Sequence, residues 1–393
     1  MSLEWNSYTI GESCELITGF PFKSKYYLDE GLFKVVRGDN VKEGFIKWDD
    51  KKRCWNELND KLKKVILKEE DIVIGMDGSK LGKNRATISK KDLPALLAQR
   101  VACVRAKEGF DQNYIKYVIL SNYFKSYVDK VKTGTSIPHI SLGQISEFTF
   151  EAPDYKKQKT ISSILSTIDK KITVNQEINK NLEEQLSLLF NDWFVNCTPF
   201  KNEELIKSEW GVVPESWKDI EFGELIEITS GNRPDEKSED KTSEFNIPLF
   251  GASKIMGYTK EYSYNEDILI IGRVGTHGVV QRVNYPCFPS DNTFVIKSDY
   301  YGFVYQLLKR IDYDSLNTGS TQPLITQKSL KSVNTILPDE KILSKFEMIS
   351  KTIFDKIQLN NDEISNLTKL RDTLLPKLMS GEIDVSKINC DLE

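Results

Sequence analysis

Gly134-Thr135-Ser136-Ile137-Pro138-His139-Ile140-Ser141 returns 185 residues later as Gly319-Ser320-Thr321-Gln322-Pro323-Leu324-Ile325-Thr326. The register then holds without a gap. Pro153-Asp154 recurs as Pro338-Asp339, Lys171-Ile172 as Lys356-Ile357, Asn175 as Asn360, Asn181-Leu182 as Asn366-Leu367 and Leu189 as Leu374. Upstream, Asp71-Ile72-Val73-Ile74 matches Asp267-Ile268-Leu269-Ile270 at an offset of 196, and Leu16-Ile17-Thr18-Gly19 matches Ile228-Thr229-Ser230-Gly231 at 212. A frame that repeats while its offsets change has constant elements and variable loops. The chain therefore predicts two like heads that read two different things at a fixed separation.

Up to about Phe150, short β-rich runs such as Leu32–Val36, Asp71–Ile74 and Arg100–Val104 alternate with Gly- and Asn-bearing turns, and an apolar stripe predicts a helix over Tyr114–Val128. Pro153-Asp154 then opens a different pattern, because Asp is a favoured N-cap and Pro keeps the preceding residue out of a helix. Apolar residues follow at coiled-coil spacing: Ile161, Leu165, Ile168, Ile172, Leu182, Leu186 and Leu189. The second copy gives Phe346, Ile349, Ile353, Ile357, Ile364, Leu367, Leu370 and Leu374. Each run predicts a helix of about 36–38 residues, roughly 55 Å long. Asn175 and Asn360 fall at matched positions in the two seams, where a core Asn costs stability but fixes register, so the helices are expected to pair with each other; the alternative is that both are solvent-facing residues of amphipathic helices that pack on their own heads. Pro376 is expected to break the second helix. The domain reading is a first head over 1–153, a helix and linker over 154–208, a second head over 209–338, a second helix over 339–380 and a tail over 381–393. The fold class is α+β, with two mixed heads joined by an antiparallel helical pair.

At 393 residues and 39 % hydrophobic, the chain is long enough for two or more cores. No run approaches the roughly 18 apolar residues of a membrane span, and Met1-Ser2-Leu3-Glu4-Trp5 is unlike a signal peptide. Six scattered cysteines and two histidines make neither a disulfide framework nor a zinc module, and they fit the reducing cytoplasm. Net charge is −4, but it is uneven. Residues 1–153 hold 25 basic and 21 acidic side chains, whereas residues 209–338 hold 13 and 18. If both heads touch DNA, the second must do so through a local patch.

Two segments carry recognition chemistry. Gly78-Ser79-Lys80-Leu81-Gly82-Lys83-Asn84-Arg85 fails as a phosphate-binding P-loop twice: Asp77 replaces the first Gly, and Asn84 replaces the Ser or Thr that binds magnesium. The same place in the second copy reads Gly272-Arg273-Val274-Gly275-Thr276-His277-Gly278, followed by Gln281-Arg282. Both follow an apolar strand with a Gly-rich cationic hairpin, which suits close approach to a DNA backbone and placement of polar groups at base edges; the alternative is a solvated turn. The expected contacts there are Lys80, Lys83, Asn84, Arg85, Arg273, Thr276, His277 and Arg282. The hydroxyl-rich repeats add Thr135, Ser136, Ser320, Thr321 and Gln322, either as phosphate donors or as turns leading into the next short helix.

Catalytic patterns are missing. Pro234-Asp235 with Glu239-Asp240-Lys241 has a nuclease's letters but sits in a loop, and Ala152-Pro153-Asp154-Tyr155 and Asn284-Tyr285-Pro286 do not fit an amino-methyltransferase motif. His139 has Leu324 as its counterpart, which argues for a structural or contact role. No catalytic residue, metal site or cofactor is expected on this chain.

The order head, helix, head, helix resembles the specificity subunits of type I restriction–modification systems. So do the two Gly-Thr-Ser and Gly-Ser-Thr segments and the ending Leu375-Pro376-Lys377-Leu378-Met379-Ser380-Gly381-Glu382-Ile383. The resemblance covers nearly the whole chain. It implies a non-catalytic reader of double-stranded DNA, in which each head binds one half of a split, asymmetric target. The helices would be a ruler and a platform for two modification subunits that methylate adenine with S-adenosylmethionine, and for restriction subunits that use ATP and Mg. A type IIB-like reader, with modification and cleavage fused in its partner, stays open. So does a coiled-coil scaffold whose heads bind proteins.

Overall fold

The computed structural model describes residues 5–49, 51–134, 136–319 and 323–386. The chain forms two compact units: residues 1–174 with 363–393, and residues 175–362. Both have the same topology. In the first, an antiparallel sheet is ordered Cys14–Thr18, Val101–Ala106, Ile72–Gly75, Arg85–Thr87. In the second the order is Glu227–Ser230, Thr293–Lys297, Ile268–Gly272, Gln281–Val283. Each unit adds a three-stranded sheet with one antiparallel and one parallel pairing: Cys54–Trp55, Phe33–Val36, Ala95–Leu97 in one, and Ile255–Thr259, Ile247–Phe250, Phe288–Pro289 in the other. Each also has a two-stranded ribbon, Asn6–Thr9 with Thr149–Ala152, and Lys218–Glu221 with Asn334–Leu337.

The repeated apolar strands explain the layering. Side chains alternate along a strand. Ile72 and Ile74 enter the core shared with the helices, while Val73 enters the core between the sheets. In the second unit Leu269 and Ile271 take one face, and Ile268 and Ile270 the other. A strand buried on both faces reads as a continuous apolar run, as these do. The echoed glycines mark a close approach of backbone. A Cβ on Gly19 would lie 1.9 Å from the Ala98 carbonyl oxygen, and one on Gly231 would lie 2.2 Å from that of Ser290.

Two long helices span Tyr155–Phe190 and Glu340–Met379. They run antiparallel within each unit. In the first, Asp169 meets Arg371 (3.1 Å) and Lys171 meets Glu363 (3.5 Å). In the second, the Phe190 and Phe346 rings lie 5.9 Å apart, and Asn360 Nδ2 donates to Asn179 Oδ1 at 2.8 Å. Asn175 and Asn360 are both buried. The helix ends also close the head cores: Ile161, Leu165 and Leu378 join one, and Leu186, Phe190, Leu343 and Phe346 the other.

Several expectations change. The single helix over Tyr114–Val128 is two, Gln112–Leu120 and Asn122–Val131, because Ser121 adopts extended geometry and caps the second through Phe124 N. Ile349 and Leu370, placed in the apolar seam, are 37 % and 47 % exposed. Pro376 does not end its helix, which continues to Met379. Its last turn is held by Leu378, buried in the first core, and by the Ser380 N to Pro376 O hydrogen bond. Beyond it, Val385 is buried in the same core and Ile383 packs against it. A hairpin pairs Leu205–Lys207 with Val212–Pro214.

Candidate nucleic-acid interface

In each unit the backbone brings the two candidate segments together. In the first, Gly78 N donates to Pro138 O (3.0 Å), Ile140 N donates to Met76 O (2.9 Å), and Asp77 bridges His139. In the second, Gly275 N donates to Pro323 O (3.0 Å), Ile325 N donates to Arg273 O (3.0 Å), and Val274 bridges Leu324. The described residues on either side of each hydroxyl-rich segment are joined, with Thr133 N donating to His139 O in one unit and Thr318 N to Leu324 O in the other, both at 2.9 Å. Each hairpin turns on glycines in the left-handed region, Gly78 (φ +101°) and Gly82 (φ +81°) or Gly275 (φ +86°) and Gly278 (φ +79°). Side chains other than Gly are strained there. One surface thus forms per unit, with a shared backbone and different side chains.

The expected contact residues divide by burial. Lys80, Lys83, Ser136 and Thr276 are exposed, while Asn84, Arg273 and His277 are half-buried. His277 Nδ1 lies 3.1 Å from Gly272 O, and its ring stacks on Tyr313. Thr135, Ser320, Thr321 and Gln322 lie outside the described residues.

Two cations are taken up by the fold. Arg85 is 3 % exposed, and its Nη1 donates to the carbonyls of Ile119 (2.6 Å) and Ser121 (2.8 Å). Burial lowers its pKa from the ordinary guanidinium value. Arg282 lies 3.9 Å over the Phe354 ring and donates from Nη2 to Glu183 Oε1 at 2.8 Å. Glu183 also accepts from Tyr305 OH at 2.9 Å. The sequence pattern puts both arginines at the DNA face because Arg85 ends the first Gly-rich cationic segment and Arg282 follows Gly278 of the second by four residues. Each instead lies in the return strand and turns inward.

One exposed cation at this surface was missed. Arg100 occupies the turn between Ala95–Leu97 and Val101–Ala106, with a side chain 71 % exposed. Its Nη1 donates to Asp77 Oδ2 at 2.8 Å, and its carbonyl accepts from Met76 N at 2.9 Å. No repeated motif pointed to it, because Asn292 stands in the equivalent place, its carbonyl accepting from Arg273 N at 2.9 Å.

The acidity of the second head is partly consumed locally. Lys260 pairs with Glu236 (2.5 Å) and Glu244 (2.7 Å), which raises the lysine's pKa above its ordinary value. Cys14, Cys54, Cys103, Cys197 and Cys287 are buried free thiols, and burial pushes those of Cys14 and Cys287 up to about 11 and about 12. Among the described residues no group of three His, Cys, Asp or Glu side chains is placed to hold a metal, and no helix is long and apolar enough to cross a membrane.

Comparison with known proteins adds three findings. A model of the type I restriction modification DNA specificity domain matches residues 2–184 and 214–369. The chain is 26 % identical over 311 residues to the type I restriction enzyme MjaIX specificity subunit of Methanocaldococcus jannaschii, covering 72 % of this chain and 71 % of that one. It is 24 % identical to the MjaVIII specificity subunit of the same organism, covering 98 % and 94 %. In fold it is similar to the crystal structure of a type I restriction-modification S subunit from M. genitalium, with a TM-score of 0.59, 17 % identity and 96 % of each chain covered.

Proposed function

Because this chain belongs to the type I restriction-modification DNA specificity family, we propose that it is the non-catalytic reader of such a complex. It recognises an asymmetric split target, one half-site per head, with residues 1–153 and 209–338 as the heads. The observation that carries this reading is the duplicated surface described above. The same backbone hydrogen bonds join hairpin to loop in both units, while the side chains presented are Lys80, Lys83 and Ser136 in one and Arg273 and Thr276 in the other. A constant frame positions the contacts on phosphates, and variable side chains specify bases. Different side chains in the two heads give different half-sites.

The long helices are the docking surface for modification subunits, and for restriction subunits where the system has them. Leu188, Met348 and Leu359 support this role, being large apolar side chains 67 %, 71 % and 64 % exposed on helices of the second unit. The domain limits follow from the same reading, with residues 154–208 supplying the first helix and a linker, 339–380 the second helix and 381–393 a tail.

A genome-wide map of methylated adenines tests it, in cells carrying the cognate modification gene with and without this chain. The expected result is a split, asymmetric motif that appears only when the chain is present. Identical methylation in both strains would sink the reading and leave the protein-binding scaffold.

A further inference from the structure

Arg100 is the third residue of a four-residue turn closed by Val101 N donating to Ala98 O at 3.3 Å, and it holds φ +64°. That position favours Gly or Asn; an arginine there carries backbone strain that glycine would relieve. The side chain offers no packing in return, since it is 71 % exposed. Its single hydrogen bond among the described residues goes to Asp77. Asp77 is itself tied into the interface through its bridge to His139. A strained, exposed arginine steered by a carboxylate on the hairpin base is costly for folding alone.

From this we infer that Arg100 is a specificity-determining residue of the first head, reading a guanine in its half-site, with Asp77 as its positioning residue. The inference rests on the DNA-reading role proposed above. Arginine paired in-plane with guanine O6 and N7 is the commonest specific contact in the major groove. The bond to Asp77 fixes one Nη1 and leaves Nε and Nη2 for that contact. The equivalent turn in the second head carries Asp291 and Asn292, so the two heads differ at this place, as readers of different half-sites must.

The test uses the chain assembled with its modification subunits, comparing the parent with Arg100→Gly, Arg100→Lys and Asp77→Asn. The readouts are the methylated motif, base by base, and the Tm of the isolated chain. Arg100→Gly is expected to keep or raise Tm, because the turn is relieved. It should lose discrimination by about tenfold to a hundredfold at one G·C pair of one half-site, with the other half-site unchanged. Arg100→Lys keeps the charge but not the planar fork, so it relaxes the same pair with less loss of overall affinity. Asp77→Asn relaxes that pair and no other. The inference is overturned if Arg100→Gly leaves every position as strict as in the parent, if it relaxes both half-sites, or if Tm falls while the motif stays intact, which would make the residue structural. A parent complex that yields no split motif overturns the proposed function itself, and this assignment with it.

Discussion

Arg282 and Lys83 are both cations next to a Gly-rich turn, and their surroundings give them opposite roles. The Arg282 guanidinium lies on the Phe354 ring and pairs with Glu183, with side chains only 18 % and 26 % exposed. Lys83 is exposed and has no ion pair among the described residues. Arg282→Ala should therefore destabilise the second unit by on the order of 2 kcal/mol, because it removes a stacking contact and leaves Glu183, among the described residues, with Tyr305 and Lys309. Urea unfolding measures that loss. Lys83→Ala should change stability by less than about 0.5 kcal/mol. It should weaken DNA binding by the assembled complex uniformly across sequences and lower the salt-dependence slope by about one. The sequence put both residues in one class because each follows a glycine-rich turn. Only the inward facing of the return strand separates them.

At the scale of elements, the helical pair contains a polar contact that its apolar periodicity does not require. Asn360 donates to Asn179 at 2.8 Å, and Asn179 donates to Asn361 at 2.8 Å. A buried amide left without its partner costs about 1–3 kcal/mol, whereas removing both amides together is nearly neutral. Asn360→Leu and Asn179→Leu should thus each destabilise the chain, and the double variant should be closer to the parent than their sum. A coupling below about 0.5 kcal/mol in a double-mutant cycle would show that this contact does not set the register. The same helix caps a head. Gly302 N and Phe303 N donate to the Glu347 carboxylate at 2.9 and 2.8 Å, satisfying the first turn of the helix Tyr301–Leu308. Burial nevertheless raises the pKa of Glu347 above its ordinary value. The folded state then binds the proton more tightly than the unfolded one. Stability from this group is full below the ordinary glutamate value and is lost as pH rises through the raised one. Glu347→Gln should remove that decline, so the urea midpoints of variant and parent should diverge across the window just above the ordinary value. Parallel profiles would contradict the assignment.

For the whole molecule, the duplicated heads predict modular recognition. Replacing residues 209–338 with the equivalent head of a related chain should change one half of the methylated motif and leave the other as it was. A change in both halves would contradict one head per half-site. Much of this plan was legible without coordinates. Similar segments recurring in the same order require the same local structure twice, and heptad spacing requires long helices, so the repeat, the strands Ile72–Gly75 and Ile268–Gly272 and the helices Tyr155–Phe190 and Glu340–Met379 follow from the order of residues. Local signals near breakers were less reliable. Ser121 split a helix through a single cap, and Pro376 stayed inside one because Leu378 is anchored in a core formed by distant residues. The candidate interface divides in the same way. The hairpins and loops were visible as motifs, because glycine and hydroxyl residues mark turns by their own conformational preferences. Their union was not visible, since the Gly78 to Pro138 and Gly275 to Pro323 hydrogen bonds join residues far apart in the chain. Nor was the direction of Arg85, Arg282 and Arg100, because all three are the same residue type near a turn. Which of them is buried depends on what the tertiary structure packs behind it.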